Sequence, residues 1–407
     1  MFVLANNLEE IKPKSLEENH IDIFTAQTLD DALIFKSEWE QLIQNSKRKN
    51  IYADPDFFFH VFESRHKNTN PHIVLFKKGN KPIALLVGVG LKYNVPCWLG
   101  YLNIKTPALR CLDIENGGLI TDGSKEAHDI LSEYLDSLLK NKQIDLLLVD
   151  HLSSLDPLWE TVANGLNSGN RTIYRKGIEW IDQLRDIDTG EVIDKHKHRT
   201  RVNFRRKDKK LLKFFNEEVQ LKEFSSVNDA KVFLTKAAFI GKKSYQHTIG
   251  VDVKNDLQWQ QLLESFSKGN YFRGYILCAQ NNPIAYAFGL AYKDIFYLYA
   301  TAYDPQYRKI GPGGYLIRRL IERMTKNNFN YFHFGYGDAD FKRLHGTDSH
   351  EEATFRIYGK TKRAKYSKFV DLVTTSTTEE FSKLMDDFGL LNKVKKLWRI
   401  HMESKNN

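Results

Sequence analysis

The spacing of hydrophobic residues in the first 180 residues alternates between the period of a helix and the pattern of a strand. Thr28 stands where it can cap a helix that has Asp30 and Asp31 in its first turn, and Pro55 is placed to begin a second helix. Two apolar runs flank Gly79-Asn80 and therefore predict a hairpin. The predicted helices cover residues 28–45, 54–63 and 126–142, and the predicted strands cover residues 72–78, 82–91 and 144–149.

The same order of elements recurs later in the chain. A turn at Asn281-Asn282 joins two apolar runs, as Gly79-Asn80 does in the first part. Beyond residue 361 we expect one or two further helices, since residues 377–381 have the pattern of a capped helix start. The helices predicted in this part cover residues 228–238, 257–266 and 313–327, and the strands cover residues 271–280, 283–292, 294–303 and 331–336.

Residue identities indicate that the two parts arose by duplication. With an offset of 201, six of the thirteen positions in 80–92 are identical to their counterparts in 281–293. With an offset of 198, Asp31, Ala32 and Phe35 match Asp229, Ala230 and Phe233. Since element order and identities agree, we predict two tandem α/β domains with mixed sheets. The predicted boundaries are a polar lead-in over 1–20, domains over 21–185 and 190–361, and a helical tail over 362–407.

Composition places the chain among globular proteins. Apolar residues make up 42% of the 407 residues, and no apolar run is long enough to span a membrane. The N-terminus lacks the basic flank of a signal peptide. Three cysteines lie far apart without the spacing of a zinc site, so we expect reduced thiols, a cytoplasmic protein and no bound metal.

The net charge of +9 comes from one segment. Residues 195–213 hold ten Lys/Arg and one Asp, which equals the surplus of the whole chain. This segment is interpretable as a solvated helix face, as a surface that attracts a phosphorylated acceptor, or as a contact for tRNA. Phe204 is the single aromatic residue among the charges, so a stacking ladder for nucleic acid is not indicated. We favour an amphipathic helix with one functional cation.

A glycine-containing loop between a strand and a helix is the strongest chemical signal. Residues 308–313 read Arg-Lys-Ile-Gly-Pro-Gly and lie between the predicted strand 294–303 and the predicted helix 313–327. Glycine lets backbone N–H groups approach a ligand, and the N-terminus of a helix attracts anions. The loop therefore predicts a phosphate or pyrophosphate site. Pro312 lacks an N–H and would remove one donor from that site.

The loop and its surroundings resemble a known family. Arg308-x-x-Gly311-x-Gly313 is similar to the acetyl-CoA loop of GNAT N-acetyltransferases. Together with Tyr303-Asp-Pro, Phe334-Gly-Tyr-Gly-Asp and His345-Gly, it resembles the CelD/BcsL-type acetyltransferases of cellulose and exopolysaccharide gene clusters. These are similar in turn to FemAB-type aminoacyltransferases, which have two GNAT-like domains. The resemblance implies tandem GNAT-like domains, of which the second is catalytic and the first shapes the acceptor cleft.

The resemblance also implies where the donor, acetyl-CoA, would lie. GNAT enzymes hold it between two splayed strands, which correspond here to residues 296–303 and 331–336. Backbone amides of the first strand would face the thioester, and the loop would hold the pyrophosphate. The residues implied in donor binding are Ala302, Tyr303, Arg308, Gly311, Gly313 and Gly314.

Candidate catalytic residues lie on the first strand and after the second. Strand alternation places Tyr299 on one face with Tyr297, Thr301 and Tyr303, where Tyr299 could protonate a departing thiolate. Asp338 could take the proton of the acceptor, and Lys342 could bind an anionic acceptor or an oxyanion. The alternative for this loop is a salt-bridged turn. His345 is a lesser candidate base, and His333 is interpreted as a core histidine.

The function expected from these features is transfer of an acetyl or other acyl group from acetyl-CoA. The acceptor would be an amine or hydroxyl of a sugar or polysaccharide precursor, with or without a phosphate group, in cell-surface glycan synthesis. One alternative is a FemAB-like aminoacyltransferase that uses aminoacyl-tRNA, the only case in which a nucleic-acid partner is expected. The other is a binding protein that has kept the fold without catalysis.

Overall fold

The structure is a computed structural model that describes residues 20–44, 50–65, 69–99, 102–166, 170–248, 250 and 252–387. Residues 1–19 of the predicted lead-in and the tail beyond residue 387 lie outside the described residues. The strands of the first half are β1 (Ile21–Ala26), β2 (Asn70–Lys78), β3 (Lys81–Tyr93), β4 (Cys97–Leu99), β5 (Leu102–Ile104), β6 (Leu109–Thr121), β7 (Leu146–Ser153) and β8 (Arg171–Gln183). The strands of the second half are β9 (Val219–Phe224), β10 (Phe272–Ala279), β11 (Asn282–Tyr292), β12 (Ile295–Tyr303), β13 (Tyr331–Tyr336) and β14 (Asp348–Tyr358).

Helices lie between these strands, and several of them begin at a capping side chain. Thr28 accepts a hydrogen bond from Asp31 N–H at 3.1 Å, and Ser226 forms a capping box with Asp229. The helices are α1 (Leu29–Ile34), α2 (Lys36–Gln44), α3 (Pro55–Arg65), α4 (Lys125–Lys140), α5 (His198–Phe214), α6 (Val227–Gly241), α7 (Tyr245–Thr248), α8 (Leu257–Lys268), α9 (Pro312–Lys326), α10 (Asp340–His345) and α11 (Lys362–Asp387). The prediction of a mixed α/β fold is confirmed.

The two halves form one twelve-stranded sheet. Its order is β1-β2-β3-β6-β7-β14-β8-β13-β12-β11-β10-β9, which reads as the same arrangement from either edge. Each half contributes four antiparallel strands and a fifth that is parallel to the fourth, as β7 is to β6 and β13 is to β12. The predicted offsets correspond to this symmetry, because β1 begins at Ile21 and β9 at Val219, while β3 begins at Lys81 and β11 at Asn282.

The central strands are exchanged between the halves. β14, from the end of the chain, pairs with β7 of the first half, whereas β8 pairs with β13 of the second half. β14 and β8 then pair with each other in the middle of the sheet. The division between residues 185 and 190 remains a prediction, and the structure adds that each half is completed by a strand from the other.

Hydrophobic cores lie on both faces of the sheet. In the second half, α9 packs Leu316, Ile317, Leu320 and Met324 against β11 to β13, as its helical spacing predicts. On the other face α3 of the first half packs against α8, and the rings of Phe57 and Phe266 are stacked with centroids 5.9 Å apart. This contact fixes the two halves against each other above the middle of the sheet.

The tail differs from its prediction in one respect. α11 continues without a break from Lys362 to Asp387, so the helix start expected at residues 377–381 is wrong. The cap-like residues there lie inside a helix that began earlier, and packing of its first turns against the sheet extends it. No helix in the described part of the chain is long and apolar enough to cross a membrane.

Candidate functional site

Two parallel strands separate at the centre of the second half. β12 and β13 pair only through Ile295–Tyr297 and Tyr331–His333. Beyond these residues β12 keeps its pairing with β11, and β13 turns toward β8, where Tyr336 pairs with Glu179. The backbone groups of Leu298–Tyr303 and Phe334–Tyr336 therefore do not bond across the gap. The gap opens into a cleft of about 1280 Å³ that reaches from α9 to the first half of the chain.

The N-terminus of α9 lies at one end of this cleft. Gly311 is in the left-handed region (φ 71°), where it ends the 3₁₀ turn Pro305–Ile310 and precedes the helix. No side chain caps α9. The first N–H groups of a helix have no intrahelical acceptor, so those of Gly313 and Gly314, which line the cleft, can bind an anion. Pro312 is the first residue of the helix, where its missing N–H costs no helical hydrogen bond.

A side chain on Gly313 would clash at this end, whereas one on Gly314 would displace only the tip of an arginine. A Cβ on Gly313 would lie 2.9 Å from the ring of Tyr303, and a Cβ on Gly314 would lie 3.3 Å from Nη1 of Arg318. Arg308 lines the same end, is exposed and makes no ion pair with a described residue. Asp304 is buried, accepts a hydrogen bond from Gln306 N–H at 3.1 Å and pairs with Lys243 at 2.7 Å, so it shapes the turn. Gly311 itself is not among the residues that line the cleft.

A β-bulge changes which residues of β12 share a face. Phe288 pairs with Ala300 but the next residue, Gly289, pairs with Leu298, so Tyr299 is left out of the ladder. Tyr297 packs in the core under α6 and α8, whereas Tyr303 packs on the opposite face with α9. The predicted common face of Tyr297, Tyr299, Thr301 and Tyr303 is therefore wrong, because a bulge shifts the alternation by one residue.

Tyr299 lies at the cleft in spite of this shift. Its side chain is 41% exposed, and its ring stacks on Phe288 with centroids 5.1 Å apart at 24°. Phe266 contacts the same ring at 5.7 Å. The bulge thus places the side chain of Tyr299 at the cleft.

Asp338 and Lys342 follow β13 and also line the cleft. Asp338 accepts hydrogen bonds from Trp180 Nε1–H at 3.1 Å and from Arg343 Nη1–H at 2.7 Å, as in a salt-bridged turn. Lys342 is 8% exposed and donates to the carbonyl oxygens of Gly335 at 3.0 Å and Tyr336 at 2.6 Å. Burial lowers the pKa of Lys342 to about 8. Lys342 therefore holds the end of β13 in place through these two carbonyl groups.

The two histidines considered from the sequence do not line the cleft. His333 binds Glu179 through Nε2 at 2.7 Å and accepts a hydrogen bond from Gly335 N–H at 3.2 Å. His345 is 2% exposed and stacks on Phe204 of α5 at 5.3 Å. Burial lowers the pKa of His345 to about 3, so it is packed as a neutral ring.

The basic segment packs beside the α9 end of the cleft. Phe204 and Leu211 of α5 are buried, and Asp208 binds both Arg318 and Arg319 of α9. Lys210 donates to the carbonyl oxygen of Lys309 at 3.1 Å, and most of the other cations of α5 are exposed. An amphipathic helix was expected here, and the structure contains one.

The opposite wall of the cleft comes from the first half. It includes carboxylates on β6 and β7, and an imidazole that pairs with a carboxylate of β14. The residues on this wall are Tyr52, Phe57, Asp113, Ile114, Glu115, Asn116, Asp150 and His151. Sequence reasoning missed them because they belong to no motif. The sequence pointed to this wall only through the family resemblance, which implied that the first domain shapes the acceptor cleft.

The two ends of the cleft differ in electrostatic character. Arg308 and the positive end of the α9 dipole lie at one end, whereas Asp113, Glu115 and Asp150 line the wall from the first half. The first end favours an anion and the second favours a cation or a hydrogen-bond donor. Among the described residues, no group of three or more His, Cys, Asp or Glu is placed to hold a metal ion.

Comparison with known proteins identifies the second half. Residues 198–343 match the family model of the acetyltransferase (GNAT) domain. This range runs from the start of α5 to α10 and contains the splayed strands and the α9 loop. This part of the second half is therefore similar to a GNAT acetyltransferase domain. No curated protein matches the chain.

Solved structures share the fold at low sequence identity. FemX has a TM-score of 0.52 at 9% identity, covering 78% of this chain and 95% of that one. A tandem GNAT protein from the clavulanic acid biosynthesis pathway has a TM-score of 0.49 at 9% identity, covering 84% of this chain and 100% of that one. A conserved protein of unknown function from Bacteroides thetaiotaomicron has a TM-score of 0.47 at 13% identity, covering 80% and 97%. The similarity to FemX shows a common fold.

Proposed function

We propose that this protein is an acyl-CoA-dependent acyltransferase that acetylates an amine or hydroxyl of a sugar or glycan precursor. The observation that carries the proposal is the cleft between β12 and β13, which ends at the uncapped N-terminus of α9. Within a GNAT domain this arrangement suits a thioester at the gap and a pyrophosphate at the helix. The glycan acceptor rests on the sequence resemblance to CelD/BcsL-type enzymes.

The residues at the helix end fit acetyl-CoA. Gly313 and Gly314 supply N–H groups, and because they have no side chains they leave space beside Tyr303 and Arg318. Arg308 supplies an exposed cation at the same end. When bound, the cofactor would supply an activated acyl group. Asp304 N–H donates to the carbonyl oxygen of Ile284 in β11, and successive amides of a strand alternate in direction. The amide of Tyr303 therefore faces the gap and would orient the thioester, whereas that of Ala302 faces β11. Tyr299 would protonate the departing thiolate.

The acidic wall bears on the class of acceptor. Asp113, Glu115 and Asp150 favour an amine or a hydroxyl donor and oppose a phosphate group placed at that wall. A phosphorylated acceptor would have to direct its phosphate toward Arg308 or the exposed cations of α5. Asp338, whose oxygens contact Trp180 and Arg343, would hold the acceptor, and Lys342 would fix the loop that carries it.

Calorimetric titration with acetyl-CoA tests the proposal. We expect saturable binding to the full chain, and loss of more than about tenfold in affinity, or about 1.4 kcal/mol, in Gly313→Val. The valine side chain would meet Tyr303 and block the N-terminus of α9. Gly90→Ala is a matched control, because an added Cβ there has no neighbour within 4 Å.

Three outcomes would contradict the proposal. Equal affinity of the wild type and Gly313→Val would show that the donor does not bind at α9. Absence of binding to acetyl-CoA, together with tRNA binding that weakens with salt and with charge removal in α5, would favour aminoacyl transfer instead. That alternative is supported by the exposed cations of α5 beside the donor loop. Binding of neither ligand would favour a non-catalytic protein.

A further inference from the structure

A histidine–carboxylate pair lies on the cleft wall that the first half provides. His151 is in β7, and its Nδ1 lies 2.5 Å from Oε2 of Glu352 in β14. The side chain of His151 is 22% exposed and lines the cleft, whereas that of Glu352 is 2% exposed and lies behind it. The pair exists only because β14 crosses from the second half to pair with β7.

The imidazole is held in one orientation. Its ring stacks on Tyr336 with centroids 3.7 Å apart and planes at 12°. The backbone N–H of His151 donates to Thr354 Oγ1 at 3.3 Å, and Thr354 in turn donates to Asp150 at 3.0 Å. Tyr336 accepts a hydrogen bond from Asn116. The contacts come from β7, β13 and β14 together.

The backbone at this position is unusual for a residue with a side chain. His151 has φ 48°, in the left-handed region that favours glycine. The corresponding irregularity in β13 is occupied by a glycine, Gly335, with φ 69°. Strained residues of this kind persist where the surroundings impose them, and they cluster at active sites. At equivalent positions of the two halves, the first half therefore has an imidazole, that of His151, and the second half has a glycine, Gly335.

The hydrogen bond to Glu352 determines which ring nitrogen is available. With Nδ1–H donated to the carboxylate, Nε2 keeps its lone pair. No hydrogen bond from a described residue to Nε2 is found. A base oriented by a second group in this way is the arrangement that activates nucleophiles in acyl-transfer enzymes.

Tyr336 brings the pair to the reacting end of the cleft. It is three residues beyond His333, the last residue at which β13 pairs with β12. Lys342 holds the carbonyl oxygens of Gly335 and Tyr336, which fixes this segment. The imidazole stacked on Tyr336 therefore lies where the wall of the first half meets the end of β13, and an acceptor bound at that wall would meet a thioester held in the gap.

We propose that His151 is the general base of the acyl transfer and that Glu352 is its positioning residue, an inference that rests on the proposed function. Nε2 of His151 takes the proton that the acceptor nitrogen or oxygen loses as its bond to the acyl carbon forms. The bond between that carbon and sulfur then breaks, and the imidazolium passes its proton on, either directly to the thiolate or to Tyr299 once Tyr299 has protonated the thiolate. His151 accepts a proton and Glu352 keeps the ring in place.

The test separates binding from turnover. Donor affinity is measured by calorimetry with acetyl-CoA, and turnover by release of the CoA thiol, with water alone and with D-glucosamine as a probe amine. We expect His151→Asn to keep the donor affinity and to lower turnover by about 10²–10⁴-fold, the usual contribution of a general base. Asparagine tolerates the left-handed backbone, so this variant should fold. Lys142→Gly, at another left-handed position (φ 57°) with an exposed side chain, is the control.

Two further variants address the roles of the pair. We expect Glu352→Gln to lower kcat without changing KM for acetyl-CoA, and Glu352→Asp to restore part of kcat. A merely structural role for Glu352 would change both parameters or stability. His151→Gly relieves the backbone strain and leaves a space, so we expect added imidazole to raise its turnover.

Different results overturn different statements. Absence of acetyl-CoA binding to the wild type would contradict the proposed function itself. Donor binding and thiol release that are the same in His151→Asn as in the wild type would overturn the assignment of the base alone. Donor binding without thiol release in the wild type would also overturn it, since water is always present as an acceptor.

Discussion

At the scale of single residues, glycine and histidine positions decide what the cleft can do. Gly313 and Gly314 leave the N-terminus of α9 open to an anion. His151 has a left-handed backbone conformation, and its imidazole lies on the opposite wall of the cleft. His345, the last residue of α10 and two residues beyond the matched GNAT range, is instead buried against Phe204. Exposure to the cleft therefore separates candidate chemistry from core packing.

Burial of His345 predicts a loss of stability in acid. Its pKa is about 3 in the folded chain and near 6.5 when unfolded, so stability present above pH 6.5 is lost as pH falls toward 3. This one residue gives a slope of up to about 1.4 kcal/mol per pH unit in that window. We expect His345→Leu to flatten the acid side of the stability profile, measured by urea unfolding between pH 4.5 and 7.

The control for this prediction is a histidine on the surface. His198→Asn, at the exposed start of α5, should leave the acid slope as it is in the wild type. Equal slopes in wild type and His345→Leu would show that His345 does not titrate between the folded and unfolded states in this way.

At the scale of elements, α11 is part of the fold. Asp371 of α11 is 2% exposed and binds Arg356 of β14 at 2.8 Å and Tyr358 at 2.7 Å. It also accepts a hydrogen bond from Thr172 of β8 at 2.7 Å. The helix is thus attached to both exchanged strands, and the guanidinium of Arg356, which is fully buried, depends on it.

Asp371→Ala should therefore destabilise the whole sheet. Removing one partner of a buried ion pair leaves an uncompensated charge, which costs about 3–5 kcal/mol. We expect a loss of that size in the free energy of unfolding from chemical denaturation. Asp348→Ala, at an exposed aspartate at the start of β14, is the control and should change stability by less than about 0.5 kcal/mol. A loss in Asp371→Ala no larger than in this control would refute the attachment.

Elements with strong local patterns were predictable, and elements defined by distant pairing were not. Hydrophobic spacing and caps identified α4, α9 and the β10–β11 hairpin within a few residues. The sequence did not indicate β14 or its place between β7 and β8, because that pairing joins residues about 200 positions apart. The bulge at Tyr299 was equally hidden, since it arises from the register of β11 and β12.

At the scale of the whole molecule, exchange of the central strands builds the site. The donor end was predictable because one continuous segment, from β12 to α9, forms it. The wall opposite was not, because His151 and Glu352 are 201 positions apart and meet only through β14. Neither half contains the complete cleft, although each half has the same order of strands. The two halves share one order of strands, and the exchanged strands bring residues of both halves to one cleft.

The central claim is that acetyl-CoA binds between the splayed strands, with its pyrophosphate at α9. Hydrogen–deuterium exchange with and without saturating acetyl-CoA tests this claim most directly, because it measures the protection of the backbone amides that would contact the ligand. We expect added protection in Leu298–Tyr303 and at Gly313–Tyr315, and little change in α4 or in the β2–β3 hairpin. Protection confined to other segments, or none at saturation, would contradict the account.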